Sequence, residues 1–237
     1  MRRNQWITAA CATTLATLIR RTPAGAACAA ENRGKPLALP PSRRIRVAYA
    51  VGDGATLIDF AGPWEVFGEV MVPSLGSTME AQMPFDQYLV GESRAGVETE
   101  RGLQVVPAFS FASAPEPEVI IVGAQPASAP LLSWLRRASP RAAVTASVCT
   151  GAFALAKTGM LDGLFATTHH AFYDQFALQF PNVRLVRGVR YVENESYSCA
   201  GGLTSGLDLA LRIVERYFGA GIANATADYM EYQRRTS

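Results

Sequence analysis

Histidine is nearly missing from this chain: His169 and His170 are the only two among 237 residues. Adjacent side chains point in different directions on a strand or a helix, and no cysteine or acidic cluster with zinc-ligand spacing surrounds the pair, so no metal site is expected. Cysteine is also scarce, with four in all: Cys11, Cys28, Cys149 and Cys199. The last two lie far apart in sequence and make no disulfide framework. Charge is thin at 18% of residues, and no basic stripe with interleaved aromatics and no second helix-turn-helix domain is present, which speaks against a nucleic-acid partner. Gly201-Gly202 is not followed by Lys-Ser/Thr, so a nucleotide-binding loop is unsupported and no cofactor is expected. Apolar runs long enough to span a bilayer are lacking too. The run from Trp6 to Ile19 has 14 residues and is rich in threonine.

That run belongs to an N-terminal segment of a different kind. Arg2-Arg3 precede it, and Pro23-Ala-Gly-Ala-Ala-Cys-Ala-Ala30 follows with small residues in A-x-A arrangements. The pattern is that of an export signal over residues 1–30, which implies an exported, periplasmic location, or a cytoplasmic one if the segment is no signal. Once it is removed no membrane association is expected, and Cys11 and Cys28 leave with it. The formal charge of +2 includes four arginines of this segment and no acid, so the remainder carries −2 by difference. Residues 31–43, rich in Pro, Gly and polar groups, read as a linker.

What remains is 49% hydrophobic over the whole chain and long enough for one sizeable domain, residues 44–237. β-formers at Arg44–Val51, Gln87–Gly91 and Val119–Val122 alternate with helical stretches at Leu131–Ala138 and Thr150–Lys157. Val97–Val106 reads as a hairpin around Gly102. Short strands are expected at Leu164–Thr167 and Val183–Val186, and further strands within Val189–Cys199. Helices are expected at Pro63–Val70, Ala171–Phe180, Ser205–Phe218 with Thr204 as cap, and Gly221–Arg234. Strands alternating with helices imply an α/β fold: a flavodoxin-like, doubly wound, mostly parallel sheet with helices on both faces. Ligands bind outside the carboxyl ends of such strands.

The segment Val144-Thr-Ala-Ser-Val-Cys-Thr-Gly-Ala-Phe153 is the most informative. A buried strand ends abruptly at Cys149, and Thr150-Gly151-Ala152 opens a helix. A cysteine at such an elbow is lifted into the cleft, where the helix dipole and free amides favour its thiolate. A small buried core residue is the alternative. Asp59 is either a polar turn residue or a carboxyl held near Cys149, with its pKa raised by desolvation so that it acts as acid, then base. Thr150 is a helix-opening hydroxyl or the donor of an oxyanion amide, and His169 a helix-start residue or a site residue. Four pieces should converge: Asp59, the turn Gly123-Ala124-Gln125, Cys149-Thr150, and Thr168-His169.

Five ordered motifs then bear a resemblance: Leu57-Ile-Asp-Phe-Ala-Gly-Pro-Trp-Glu-Val-Phe, Ser147-Val-Cys-Thr-Gly-Ala-Phe, Gly159-Met-Leu-Asp-Gly, Ala166-Thr-Thr-His and Gly201-Gly-Leu-Thr-Ser-Gly-Leu-Asp. From Arg44 to Phe218 the chain resembles the PfpI-like family of the class I glutamine amidotransferase-like superfamily. Within it, the chain is most similar to the branch holding isonitrile hydratase and the N-terminal domains of AraC-type regulators. The resemblance implies a homodimer with Cys149 as nucleophile, Asp59 as the carboxyl facing it, Thr150 as the third residue, and His169 as a nearby support. It implies a small-molecule substrate and hydration of an isonitrile to an N-substituted formamide, with a redox sensor or a ligand-binding module as the alternatives. Thr150 stands where the protease-like and glyoxalase-like branches carry histidine. Gly123-Ala124-Gln125 replaces a Pro-Gly-Gly turn whose amide helps form the oxyanion hole, and His170 replaces a tryptophan.

Overall fold

In the computed structural model of the protein, which describes residues 34–40 and 44–235, eleven strands and seven α-helices follow one another along the chain. The export signal expected at residues 1–30, with Cys11 and Cys28, lies outside the described residues. The strands are β1 (Ile45–Ala50), β2 (Phe85–Gly91), β3 (Val97–Glu98), β4 (Gln104–Val105), β5 (Phe109–Ser110), β6 (Val119–Val122), β7 (Val144–Ser147), β8 (Phe165–Ala166), β9 (Arg184–Leu185), β10 (Tyr191–Glu193) and β11 (Tyr197–Ala200). The helices are α1 (Leu57–Gly68), α2 (Met79–Gln82), α3 (Ala129–Ala138), α4 (Gly151–Lys157), α5 (Tyr173–Gln179), α6 (Ser205–Phe218) and α7 (Ala220–Tyr229).

The main sheet has seven strands in the order β10-β11-β7-β6-β1-β2-β5, parallel throughout except for β10, which runs antiparallel to β11 at one edge. In its inner run β2-β1-β6-β7-β11 the order of strand addition reverses between β1 and β6, the switch point of a flavodoxin-like sheet. Strand alternation explains why helices cover both faces. Val47 and Tyr49 of β1, with Val119 and Ile121 of β6, pack into one core with Phe60, Phe67, Leu209 and Ile213 from α1 and α6. Ala48, Ala50, Ile120 and Val122 face the opposite core, with Leu135, Leu155 and Phe176 from α3, α4 and α5. The β3–β4 hairpin forms a small sheet of its own, as do β8 and β9. The two-residue strand β5 has no apolar run to announce it, and it follows from pairing Val90 and Gly91 with Phe109 and Ser110.

Several local expectations are corrected. Pro63 does not open its helix but lies seven residues into α1. An interior proline removes the hydrogen bond to the carbonyl four residues back, here Asp59, at a cost of about 3 kcal/mol. Packing offsets it: Pro63 is buried against Gly206 of α6, while Gly62 meets Leu207, so the two helices approach closely at small residues. Thr204 does not cap α6 with its side chain and is itself in helical conformation. The last helix ends at Tyr229 because Glu231 adopts φ 52, which turns the chain back and lets the Arg235 amide donate to Asp208. Ala171–Phe180 starts as a 3-10 turn over His170–Phe172 before α5. Within the stretch expected as a linker, residues 34–37 are seated on α6. Leu37 N–H donates to the Arg216 carbonyl, and the Arg216 guanidinium donates to the Lys35 carbonyl.

Candidate functional site

The site is built at the carboxyl ends of β6, β7 and β11, with α1 supplying the fourth wall. β7 runs into Val148, and Cys149 then takes φ 58. Left-handed backbone costs a non-glycine residue about 1–2 kcal/mol, so something must hold it there. Three contacts do. The Cys149 N–H donates to the Gly201 carbonyl at 2.8 Å, and the Thr168 hydroxyl donates to the Cys149 carbonyl at 2.9 Å. At Gly151, a Cβ would stand 2.1 Å from the Val122 carbonyl oxygen, so only glycine lets α4 start this close to β6. This is the strand-to-helix elbow the sequence suggests.

Opposite the thiol lies Asp59, in the first turn of α1 and fully buried. Oδ2 accepts the Ala124 N–H at 2.9 Å. The other oxygen makes no hydrogen bond of regular geometry, and the carboxyl interacts with the Cys149 side chain. The turn Gly123–Gln125 therefore serves the carboxyl. Gly123 allows it, since a Cβ there would come within 2.7 Å of the Asp59 Cβ. Gln125 donates to the Ala50 carbonyl and lines a neighbouring cavity of about 330 Å³, whose lining includes neither Cys149 nor Asp59.

Burial pushes the Asp59 pKa up to about 6, against the downward pull of the Ala124 amide and the thiol. It likewise pushes the Cys149 thiol up to about 11, and the Asp59 charge pushes the same way. The Thr150 and Leu203 amides pull the thiol down by less. The expectation that the helix terminus holds a resting thiolate is thus corrected. Cys149 is only 7% exposed, and loss of hydration together with a neighbouring carboxylate outweighs two amides. Near neutral pH the proton sits on sulfur and the carboxyl is ionised. Burial and the raised thiol do not favour the accessible, low-pKa cysteine that a redox sensor calls for.

Thr150 contributes its amide, and its hydroxyl caps no helix N–H. Leu203 was not singled out by sequence reasoning. The signal was present in its place within Gly201-Gly-Leu-Thr, where one residue must turn the chain from β11 into α6, and Leu203 does so at φ 50. His169 stands at the rim. Its Nδ1 accepts the Ala171 N–H, its ring stacks on His170, and its Cδ2 lies 2.1 Å from where a Gly202 Cβ would be. Partial burial and His170 lower its pKa, and neither His169 nor Cys149 figures among the groups that shift the other. Cys199 is buried beside Ser147 and Thr167, its thiol pushed up to about 11 by burial. Asn194 is held by the Phe165 backbone and the Tyr197 carbonyl.

Residues 45–216 match the DJ-1/PfpI family, and the chain belongs to it. It is 29% identical over 195 residues to isonitrile hydratase of Pseudomonas putida, covering 79% of this chain and 78% of that protein. It is 26% identical over 203 residues to the HTH-type transcriptional regulator GbdR of Pseudomonas aeruginosa, covering 83% of this chain but 53% of the regulator. Among solved structures, a THiJ/PfpI family protein from Pseudomonas syringae superposes with a TM-score of 0.69 at 24% identity, over 85% of this chain and 84% of that one.

Proposed function

We propose that this DJ-1/PfpI family member is a cysteine-dependent enzyme acting on a small electrophilic carbon, and that its reaction is hydration of an isonitrile to an N-substituted formamide. The observation that carries this reading is the buried Cys149–Asp59 pair, in which the Ala124 amide holds the carboxyl facing the thiol and burial pushes both pKa values up. As the sulfur bonds to the isonitrile carbon, its proton passes to Asp59, and the Thr150 and Leu203 amides hold charge that develops on sulfur. Asp59 returns that proton to the same carbon, giving a thioimidate in which nitrogen is doubly bonded to a CH bearing the Cys149 sulfur. Water adds to this carbon with Asp59 as base. Asp59 passes that proton to the nitrogen, the C–S bond breaks as the hydroxyl proton returns through Asp59 to the sulfur, and the N-substituted formamide leaves. One water is consumed and nothing is oxidised or reduced.

The isonitrile hydratase relative supports the substrate, and Thr150 beside the cysteine supports this branch over those with histidine there. The test is a panel of isonitriles, nitriles, amides and α-oxoaldehydes against wild type, Cys149→Ala and Asp59→Asn. Formamide release from isonitriles by wild type alone is expected. Folded Cys149→Ala with undiminished turnover sinks the reading.

The regulator relative favours a second reading, a ligand-binding module. It would show saturable thermal stabilisation by a small molecule, kept in Cys149→Ala, with no product formed. A homodimer, checked by light scattering, and export through removal of residues 1–30, checked by N-terminal sequencing of the mature protein, complete the proposal.

A further inference from the structure

The Leu203 amide acts on the Cys149 sulfur from a turn after β11 whose backbone conformation is unfavourable. Leu203 has φ 50, it is 43% exposed, and α6 begins soon afterwards without a side-chain cap. The restraint comes from Arg190, just before β10, and grips the turn on both sides of Leu203. On the near side the Arg190 carbonyl accepts the Gly201 N–H at 2.9 Å, and the Gly201 carbonyl in turn accepts the Cys149 N–H. On the far side the Arg190 guanidinium donates to the Thr204 hydroxyl at 3.2 Å.

That guanidinium is itself fixed. Asp208, fully buried in α6, takes its Nε at 2.7 Å and its Nη2 at 2.6 Å, while the other Asp208 oxygen accepts the Arg235 N–H at 2.8 Å. The Tyr232 hydroxyl accepts from Arg190 at 3.4 Å and donates to the Thr204 carbonyl at 3.5 Å. The chain reversal at Glu231 brings the C-terminal segment onto this cluster. Burying Asp208 carries a desolvation cost that an apolar pair would avoid, so stability alone does not account for the arrangement. A planar fork with several donors suits simultaneous contact with Asp208, Thr204 and Tyr232, which a lysine ammonium cannot reproduce.

We propose that Arg190 is a positioning residue, which clamps Thr204, Asp208 and the C-terminal Tyr232 and thereby keeps the Leu203 amide aimed at the Cys149 sulfur. This rests on the reading of Cys149 as the reacting atom, but its test needs no substrate. In the full chain, the rate of Cys149 alkylation by iodoacetamide is followed against pH by peptide mass spectrometry, alongside thermal unfolding, for wild type, Arg190→Lys, Thr204→Val and Tyr232→Phe. Losing part of one hydrogen bond to a charged sulfur should slow alkylation of Arg190→Lys at pH 9 by about threefold or more and move its midpoint upward. Thr204→Val and Tyr232→Phe should shift the same way by less, and they decide the matter if Arg190→Lys does not fold. Folded variants with the wild-type alkylation profile would overturn the proposal, and so would a lowered Tm with an unmoved profile. A shifted profile in a protein whose wild type hydrates no isonitrile would leave the positioning role standing and remove the hydratase reading.

Discussion

Replacing Asp59 by asparagine should make Cys149 more reactive toward an alkylating agent while making the protein inactive toward an isonitrile. With its thiol pushed up to about 11, roughly one Cys149 in a thousand is thiolate at pH 8, against roughly one in ten for a thiol at 9.0. The ceiling for any gain is therefore about 100-fold. Burial is the larger cause and persists in the variant, while the carboxylate charge, the second, disappears. The substituted asparagine can still accept the Ala124 N–H through its side-chain oxygen, which turns its NH₂ toward the sulfur as a donor that favours the thiolate. A rise of at least about threefold in iodoacetamide labelling of Cys149 at pH 8, inside that ceiling, is expected. Turnover should fall by at least about 100-fold, because the group that accepts and returns the proton is gone. Labelling that stays level or slows in a folded Asp59→Asn protein would refute the reasoning, since the carboxylate would then not be raising the thiol.

Three further outcomes follow from the same geometry. The Asp59 pKa is raised from 3.8 in the unfolded chain to about 6, so the folded state binds the extra proton between these values and this group's contribution to stability falls as pH rises through that window. The shift is worth about 3 kcal/mol, and denaturant unfolding of wild type and Asp59→Asn at pH 4 and pH 7 should show their difference changing by up to that amount in favour of the variant. Gly151→Ala places a Cβ against the Val122 carbonyl and should cost about 3 kcal/mol or more, seen as a lower Tm and lost turnover together. His169→Phe should leave kcat within about threefold of wild type, because the imidazole does not influence the Cys149 thiol. A loss of about 100-fold in a folded variant would restore His169 to the chemistry.

The sheet was legible wherever burial on both faces writes a continuous apolar run, as in Val119–Val122, and wherever a breaker ends it, as at Gly123. Cys149 and Asp59 were legible as candidates because an elbow needs a small residue after it and a carboxyl motif lies ahead of Gly62-Pro63. Other features depended on distant partners. Pro63 reads locally as a helix start, and only its packing on Gly206 admits it to a helix interior. Leu203 carries no polar side chain, and what it offers the site is a backbone N–H whose direction is set by Arg190, thirteen residues away. The Cys149 pKa ran opposite to the local reading. A helix start is visible in sequence, whereas the depth at which the thiol is buried, and the ionised carboxyl that joins it there, are products of the whole fold.

The most direct test of the central claim, that a thiol and a carboxylate share one working proton, is the pH dependence of kcat/KM for formamide formation. The active form needs Asp59 ionised and Cys149 protonated. Activity should therefore rise with pH through about 6 and then hold level into the alkaline range, below the thiol's own value of about 11. Activity that is flat from pH 5 to pH 7, or that climbs only as a free thiol ionises near 9.0, would contradict the account.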